Sequence, residues 1–234
     1  MNAIVRLSPR AFVVWWRNAP RWDVAQFQQL KWQWPDEIIR PVGEAIIRQR
    51  AEVDSKADPT SLPIIEKISF GGKISVAKPD ARKGYKGRLF WANSGNLIYS
   101  KIRAKQGSLA IVQPYIGKLA VSAEYPVYDI DPSKADAAYL AILLRSTPFL
   151  RLLEGLSHGG STKTRIPPEE FERQLIPLPP LPVQRKIVAA HEAALHYAAQ
   201  AADKIERLAR DIEARFLADL GLHIPEQATL PTAS

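Results

Sequence analysis

The stretch IPLPPLPVQRKIV (Ile176–Val188) divides the sequence into two regimes. Four prolines between Pro177 and Pro182 fix φ and disfavour helix in the residues before them, so this junction is expected to be extended. Downstream, Val183–Leu220 runs for 38 residues without a glycine or proline. Its apolar positions, Ile187, Ala190, Ala194, Ala198, Ala201, Ile205, Leu208, Ile212 and Phe216, are spaced three or four apart. That is a narrow seam along one long helix, on the order of 55 Å at about 1.5 Å per residue. Alanines in the seam permit close approach of a second helix. A helix of this length exceeds what a domain of about 150 residues wraps, so its seam is expected to meet another helix. Gly221 supplies its stop, and residues 222–234 are expected to form a loose tail.

Upstream the pattern is different. Residues 1–31 carry Trp15, Trp16 and Trp22 among arginines without a clear period, and are expected to form an N-terminal arm or short helix. Val42–Arg50 fits a short helix or strand. Leu62–Val127 has β character: Ile64, Ile65 and Ile68 are β-branched, while Gly71–Gly72, Lys83–Gly84 and Asn93–Asn96 punctuate turns. Leu97–Arg103 alternates as a half-buried strand, Gly107 breaks it, and Leu109–Val112 and Leu119–Ser122 follow as strands. Asp131–Pro132–Ser133 is expected to open a helix carrying Leu140, Leu143 and Leu144. Pro148 either interrupts that helix or starts a second one running to about Leu156, and Pro167–Pro168 looks like a further helix start. The expected fold class is α+β, a domain over 32–181 with a curved sheet of short strands and flanking helices. One long helix over 182–221 follows it.

The chain has 234 residues, 46% of them hydrophobic, and no cysteine. A disulfide scaffold, a zinc finger, an iron–sulfur cluster and thiol catalysis are thereby excluded. Apolar runs such as Ala11–Trp16 and Ala137–Leu144 are far shorter than the roughly 20 residues of a bilayer span. With no apolar h-region evident near Met1, the expected location is cytoplasmic. The net charge of +8 is local: residues 66–105 hold ten basic residues against Glu66 and Asp80. Residues 1–65 hold nine against seven, and 106–234 thirteen against fifteen. A concentrated basic block suggests a polyanionic partner, with a solvated basic face as the plain alternative.

Catalytic constellations are missing. Gly155–Leu156–Ser157–His158–Gly159 matches G-x-S-x-G, but the elbow needs a strand before it and a helix after it. Lys163–Thr164 lacks the preceding glycine of a P-loop. His191 and His196, five apart, fall on different helix faces, so no metal site is expected. No D/N-P-P-Y/F tetrapeptide marks an adenine methyltransferase. Binding remains: turn-borne cations in Asp80–Arg88 and in Lys163–Arg165 suit contacts to phosphates and groove edges.

Several segments resemble the target-recognition domain of type I restriction–modification specificity (S) subunits. They are Gly95–Arg103, Gly107–Val112, Ser122–Val127, Tyr139–Leu140 through Arg145–Phe149, and Gly159–Ile166. The strongest is Ile176–Val188, similar to the family's junction into its spacer helix, and Arg21–Phe27 is similar to its entry segment. The resemblance covers about residues 21–220. Family members usually have two recognition domains and two spacer helices, whereas this sequence shows one of each, as in a half-subunit.

The resemblance implies a non-catalytic subunit that reads one half-site of double-stranded DNA. It implies association with adenine methyltransferase subunits, which bring S-adenosylmethionine, and with a motor-nuclease subunit. No cofactor is expected on this chain. Arg82, Lys83, Lys86, Lys101, Arg103, Lys105, Lys163 and Arg165 are the expected DNA contacts. Ile187, Ala194, Ala198, Ala201, Ile205, Leu208 and Ile212 are the expected dimer or partner face of the helix. A homodimer, or pairing with a second half-subunit, would read a bipartite palindrome. The alternative is a stand-alone nucleic-acid-binding module without a methyltransferase partner.

Overall fold

The computed structural model describes residues 5–8, 11–13, 32–78, 87–156 and 165–222. The chain divides into two units, Met1–Arg185 and Lys186–Ser234.

In the first unit, Val5–Ser8 (β1) and Ala11–Val13 (β2) form an antiparallel pair within the expected N-terminal arm. Ile39–Pro41 (β3) leads through one 3-10 turn, Val42–Glu44, into Ile46–Gln49 (β4). The next strands are Ile65–Ile68 (β5), Ile74–Val76 (β6), Leu89–Asn93 (β7), Leu97–Tyr99 (β8), Leu109–Ile111 (β9), Lys118–Ser122 (β10) and Val127–Ile130 (β11). Three helices follow: Ala137–Leu144 (α1), Thr147–Gly155 (α2) and Pro168–Glu172 (α3). Leu175–Pro177 (β12) then precedes the long helix Leu181–Asp219 (α4).

The class is α+β, as expected, with short antiparallel strands and one long C-terminal helix. The strands are shared among several small sheets. β4, β11, β8 and β9 form a four-stranded antiparallel sheet in that spatial order, while β5–β6, β7–β10 and β3–β12 pair separately. One face of the four-stranded sheet is packed by the β5–β6 hairpin and the β7–β10 pair. Ile98, Ala110 and Val127 join Ile65, Ile68, Leu119 and Val121 in one cluster. The other face is packed by helices through aromatic rings. Tyr99 stacks on Phe171 at 4.3 Å, Tyr128 lies 6.2 Å from the same ring, and Phe149 meets it edge-on at 5.9 Å.

This two-sided cover corrects the expected strand Leu97–Arg103. The strand ends at Tyr99, and Leu97, Ile98 and Tyr99 are all buried, because both faces of β8 are covered. Lys101–Arg103 instead form a turn, and Ala104–Gln106 a 3-10 turn closed by Gly107 at φ +92°. The helix start expected at Asp131 is also displaced. The Asp131 carboxylate accepts from Ser133 N at 2.9 Å in a local turn, whereas Asp136 caps α1 by accepting from Ala138 N and Tyr139 N. Ser146 caps α2 with Pro148 in its first turn, so of the two readings at Pro148 the start of a second helix is the one observed.

The proline junction is extended only as far as Pro180. Leu181 and Pro182 already lie in the first turn of α4, where a missing proline N–H costs no hydrogen bond. Gln184 is fully buried at this start. Its Oε1 accepts from Asp136 N at 2.8 Å, and its Nε2 donates to the carbonyls of Lys134 (2.8 Å) and Pro179 (2.7 Å). The Tyr139 hydroxyl donates to the Pro177 carbonyl at 2.9 Å.

The second unit is the body of α4. Its end has the hydrogen bonds of a Schellman motif, with Gly221 N donating to Ala218 O and Leu222 N to Leu217 O, both at 2.9 Å. Gly221 sits at φ +71°, which accounts for the glycine there.

Candidate nucleic-acid interface

The turn Ser122–Tyr125 links the segments that carry the expected DNA contacts. Ser122 pairs with Leu89 at the start of β7. The Glu124 carbonyl accepts from Lys101 N at 3.0 Å, and the Lys101 carbonyl accepts from Ile166 N at 2.9 Å. Three segments distant in sequence therefore meet at one end of the four-stranded sheet: the 101–106 turn, the 122–125 turn and the strand-like approach to Ile166. Tyr125 extends the link to the β5–β6 hairpin, its hydroxyl lying 3.5 Å from the Glu66 carbonyl.

Lys101, Arg103 and Lys105 project from the turn after β8, Arg103 exposed and the two lysines half-buried. Arg103 N donates to Ser100 Oγ at 3.3 Å, which fixes the backbone of the turn. None of the three cations has an ion-pair partner among the described residues. Burial raises the Tyr125 hydroxyl above the ordinary phenol range, and the Arg103 guanidinium opposes that shift.

Arg165 is drawn to the same place but is engaged: its Nε lies 3.2 Å from Glu124 Oε2. Arg82, Lys83, Lys86 and Lys163 lie outside the described residues. The flanks of the first of these segments are in place: Lys78 is exposed after β6, and Arg88, before β7, lies 3.7 Å from Glu52.

The expected partner face of α4 is open to solvent over much of its length. Ile205 is 68% exposed, Leu208 57% and Ile212 60%, and Ala194 and Ala198 are exposed; Ile187 and Ala201 are half-buried. The i,i+4 ion pairs Asp203–Arg207 (2.7 Å) and Glu206–Arg210 (3.7 Å) fall on the opposite side of the helix.

Sequence spacing did not reveal the ion pairs that hold this scaffold. Arg48 on β4 contacts Glu169 Oε1 and Glu172 Oε1 of α3, each at 2.7 Å, and sits beside the Tyr99–Tyr128–Phe171 stack. Burial disfavours the Arg48 charge, but the two carboxylates outweigh it and raise its pKa. Among the described residues, no group of three or more His, Asp or Glu is placed to hold a metal ion, and no helix is long and apolar enough to cross a membrane.

No protein-family model matches the sequence, and no curated protein matches it. Solved structures do. The crystal structure of the HsdS subunit from Thermoanaerobacter tengcongensis superposes with a TM-score of 0.62 at 21% identity, over 83% of this chain and 51% of that one. A chain from a study of complex assembly and conformational transition of the type I R-M system gives 0.60 at 21% identity, over 86% and 53%. The fold is that of these subunits, and the chain spans about half the length of each.

Proposed function

We propose that this chain, having the HsdS fold over half an HsdS length, is the DNA-specificity component of a type I restriction–modification assembly. In this reading the first unit is a target-recognition domain for one half-site of double-stranded DNA. It does no covalent chemistry. An adenine methyltransferase subunit brings S-adenosylmethionine and takes the target base, and a motor-nuclease subunit completes the restriction form, all in the cytoplasm. The exposed seam of α4 pairs with a second copy, or with another half-subunit, and sets two recognition domains apart.

The observation that carries the proposal is the convergence of Lys101, Arg103 and Lys105, without ion-pair partners among the described residues, on a domain of this fold. Cations left unneutralised at a sheet end are available for phosphates and base edges. The test is co-expression with an adenine methyltransferase subunit, followed by mapping of methylated adenines across the host genome. A bipartite palindromic motif that appears only when this chain is present is the expected result. Equal binding to any duplex, with no methyltransferase association, would favour a stand-alone nucleic-acid-binding module and overturn the proposal.

A further inference from the structure

The β5–β6 hairpin ends in a turn, Ser69–Lys73, whose shape is tightly determined. Ser69 N donates to the Lys73 carbonyl at 2.9 Å, Gly72 N to the Ser69 carbonyl at 2.9 Å, and Lys73 N to Ser69 Oγ at 3.0 Å. The turn is also seated on the segment that follows the basic 101–106 turn. A Cβ at Gly107 would lie 2.6 Å from the Phe70 carbonyl oxygen, and one at Gly72 would lie 2.0 Å from Arg145 Nη1 and 2.9 Å from the Leu109 carbonyl. Both glycines have positive φ, +92° and +82°, so close approach and backbone conformation each demand glycine. Ser108 Oγ adds a bond to the Ile68 carbonyl at 2.9 Å.

At the tip of this fixed turn Phe70 is 57% exposed. Its surroundings are cationic. Lys67 and Lys73 flank it on the hairpin, against the single acid Glu66, and Lys105 precedes the Gly107 contact. The guanidinium of Arg145 lies against Gly72, partly desolvated, and has no hydrogen-bond or ion-pair partner among the described residues. Desolvating a guanidinium without a partner is costly, and a phosphate would supply the missing one. An exposed aromatic residue on a backbone-fixed turn, with basic residues on its flanks that have no ion pair among the described residues, suits stacking on, or wedging between, bases while phosphates are gripped alongside.

From this juxtaposition we infer that the Ser69–Lys73 turn is a second DNA-contacting element, in which Phe70 packs its ring against a base step of the bound duplex and Arg145 meets the adjacent phosphate. The inference rests on the DNA-binding reading above and adds a stacking contact to it.

The test compares the full chain with Phe70→Ala, Phe70→Leu and Phe70→Trp, using fluorescence anisotropy on a labelled duplex pool of randomised sequence across a salt series. Thermal melting first establishes that each variant is folded. Phe70→Ala and Phe70→Leu are expected to weaken binding about tenfold with an unchanged salt slope, and Phe70→Trp to retain it. Arg145→Gln is expected to lower the slope of log K against log salt by about one. Leucine binding as well as phenylalanine would overturn stacking. Unchanged DNA binding by all Phe70 variants, with lost capture of a methyltransferase subunit, would make the turn a protein contact and overturn the inference alone. A folded wild-type chain that binds no duplex would overturn the inference and the DNA-binding reading together.

Discussion

Arg48, Glu169 and Glu172 show how far single residues outran their sequence signal. The arginine is separated from its carboxylates by 121 and 124 positions, so no spacing rule joins them. Only the packing of α3 over β4 and the aromatic stack brings the three charges together. Removing Arg48 leaves two carboxylates facing each other, and Arg48→Ala is expected to cost about 2–3 kcal/mol in urea denaturation. The hydrogen bond from Arg48 lowers the Glu169 pKa below the ordinary carboxylate value. Its contribution is therefore complete above the unfolded-state pKa and is lost as pH falls through the folded one. The acid side of a plot of Tm against pH should flatten in Glu169→Gln and keep its slope in the wild type. At the proposed interface, Lys101, Arg103 and Lys105 are legible as charges, but their lack of ion-pair partners among the described residues is not. Replacing all three by alanine is expected to reduce the salt slope of duplex binding by about two to three, read by anisotropy.

Elements were more legible where capping and chain punctuation act locally. The long helix, its glycine stop and the starts of α2 and α3 follow from residue patterns within one or two turns. The alternation over Leu97–Arg103 presumes one wet face, whereas β8 has none and ends at Tyr99. At the start of α1 two aspartates compete for the helix N-cap, and Asp131, whose carboxylate is used by Ser133, loses to Asp136. Gln184 belongs to this scale too, since the junction motif supplies both it and the Pro179 carbonyl in sequence, while its other two partners, Asp136 N and the Lys134 carbonyl, come from another segment. Replacing it with leucine strands the Asp136 N–H and the carbonyls of Lys134 and Pro179. Gln184→Leu is expected to destabilise the first unit by about 2–4 kcal/mol in denaturant titrations.

For the whole molecule, the decisive feature is apolar surface without cover. Ile205, Leu208, Ile212 and Phe216 are each more than half exposed on a helix about 58 Å long, and an isolated helix in water gains little from such residues. Ile205→Asp with Leu208→Asp is expected to convert a dimer to a monomer by sedimentation velocity. Under the proposed function it should also abolish methylation at a bipartite motif while leaving the melting of the first unit unchanged. An unaltered sedimentation profile would count against pairing through the seam. The sequence by itself determined the class of the fold, the helix and its seam, and the confinement of positive charge to residues 66–105, because caps, glycine stops, periodicity and charge are local properties of a chain. Only the tertiary structure decided which cations stand without ion pairs among the described residues, which strand is covered on both faces and which turn lifts Phe70 clear of the core. Those outcomes depend on contacts between residues tens of positions or more apart, and no local pattern encodes where such residues meet.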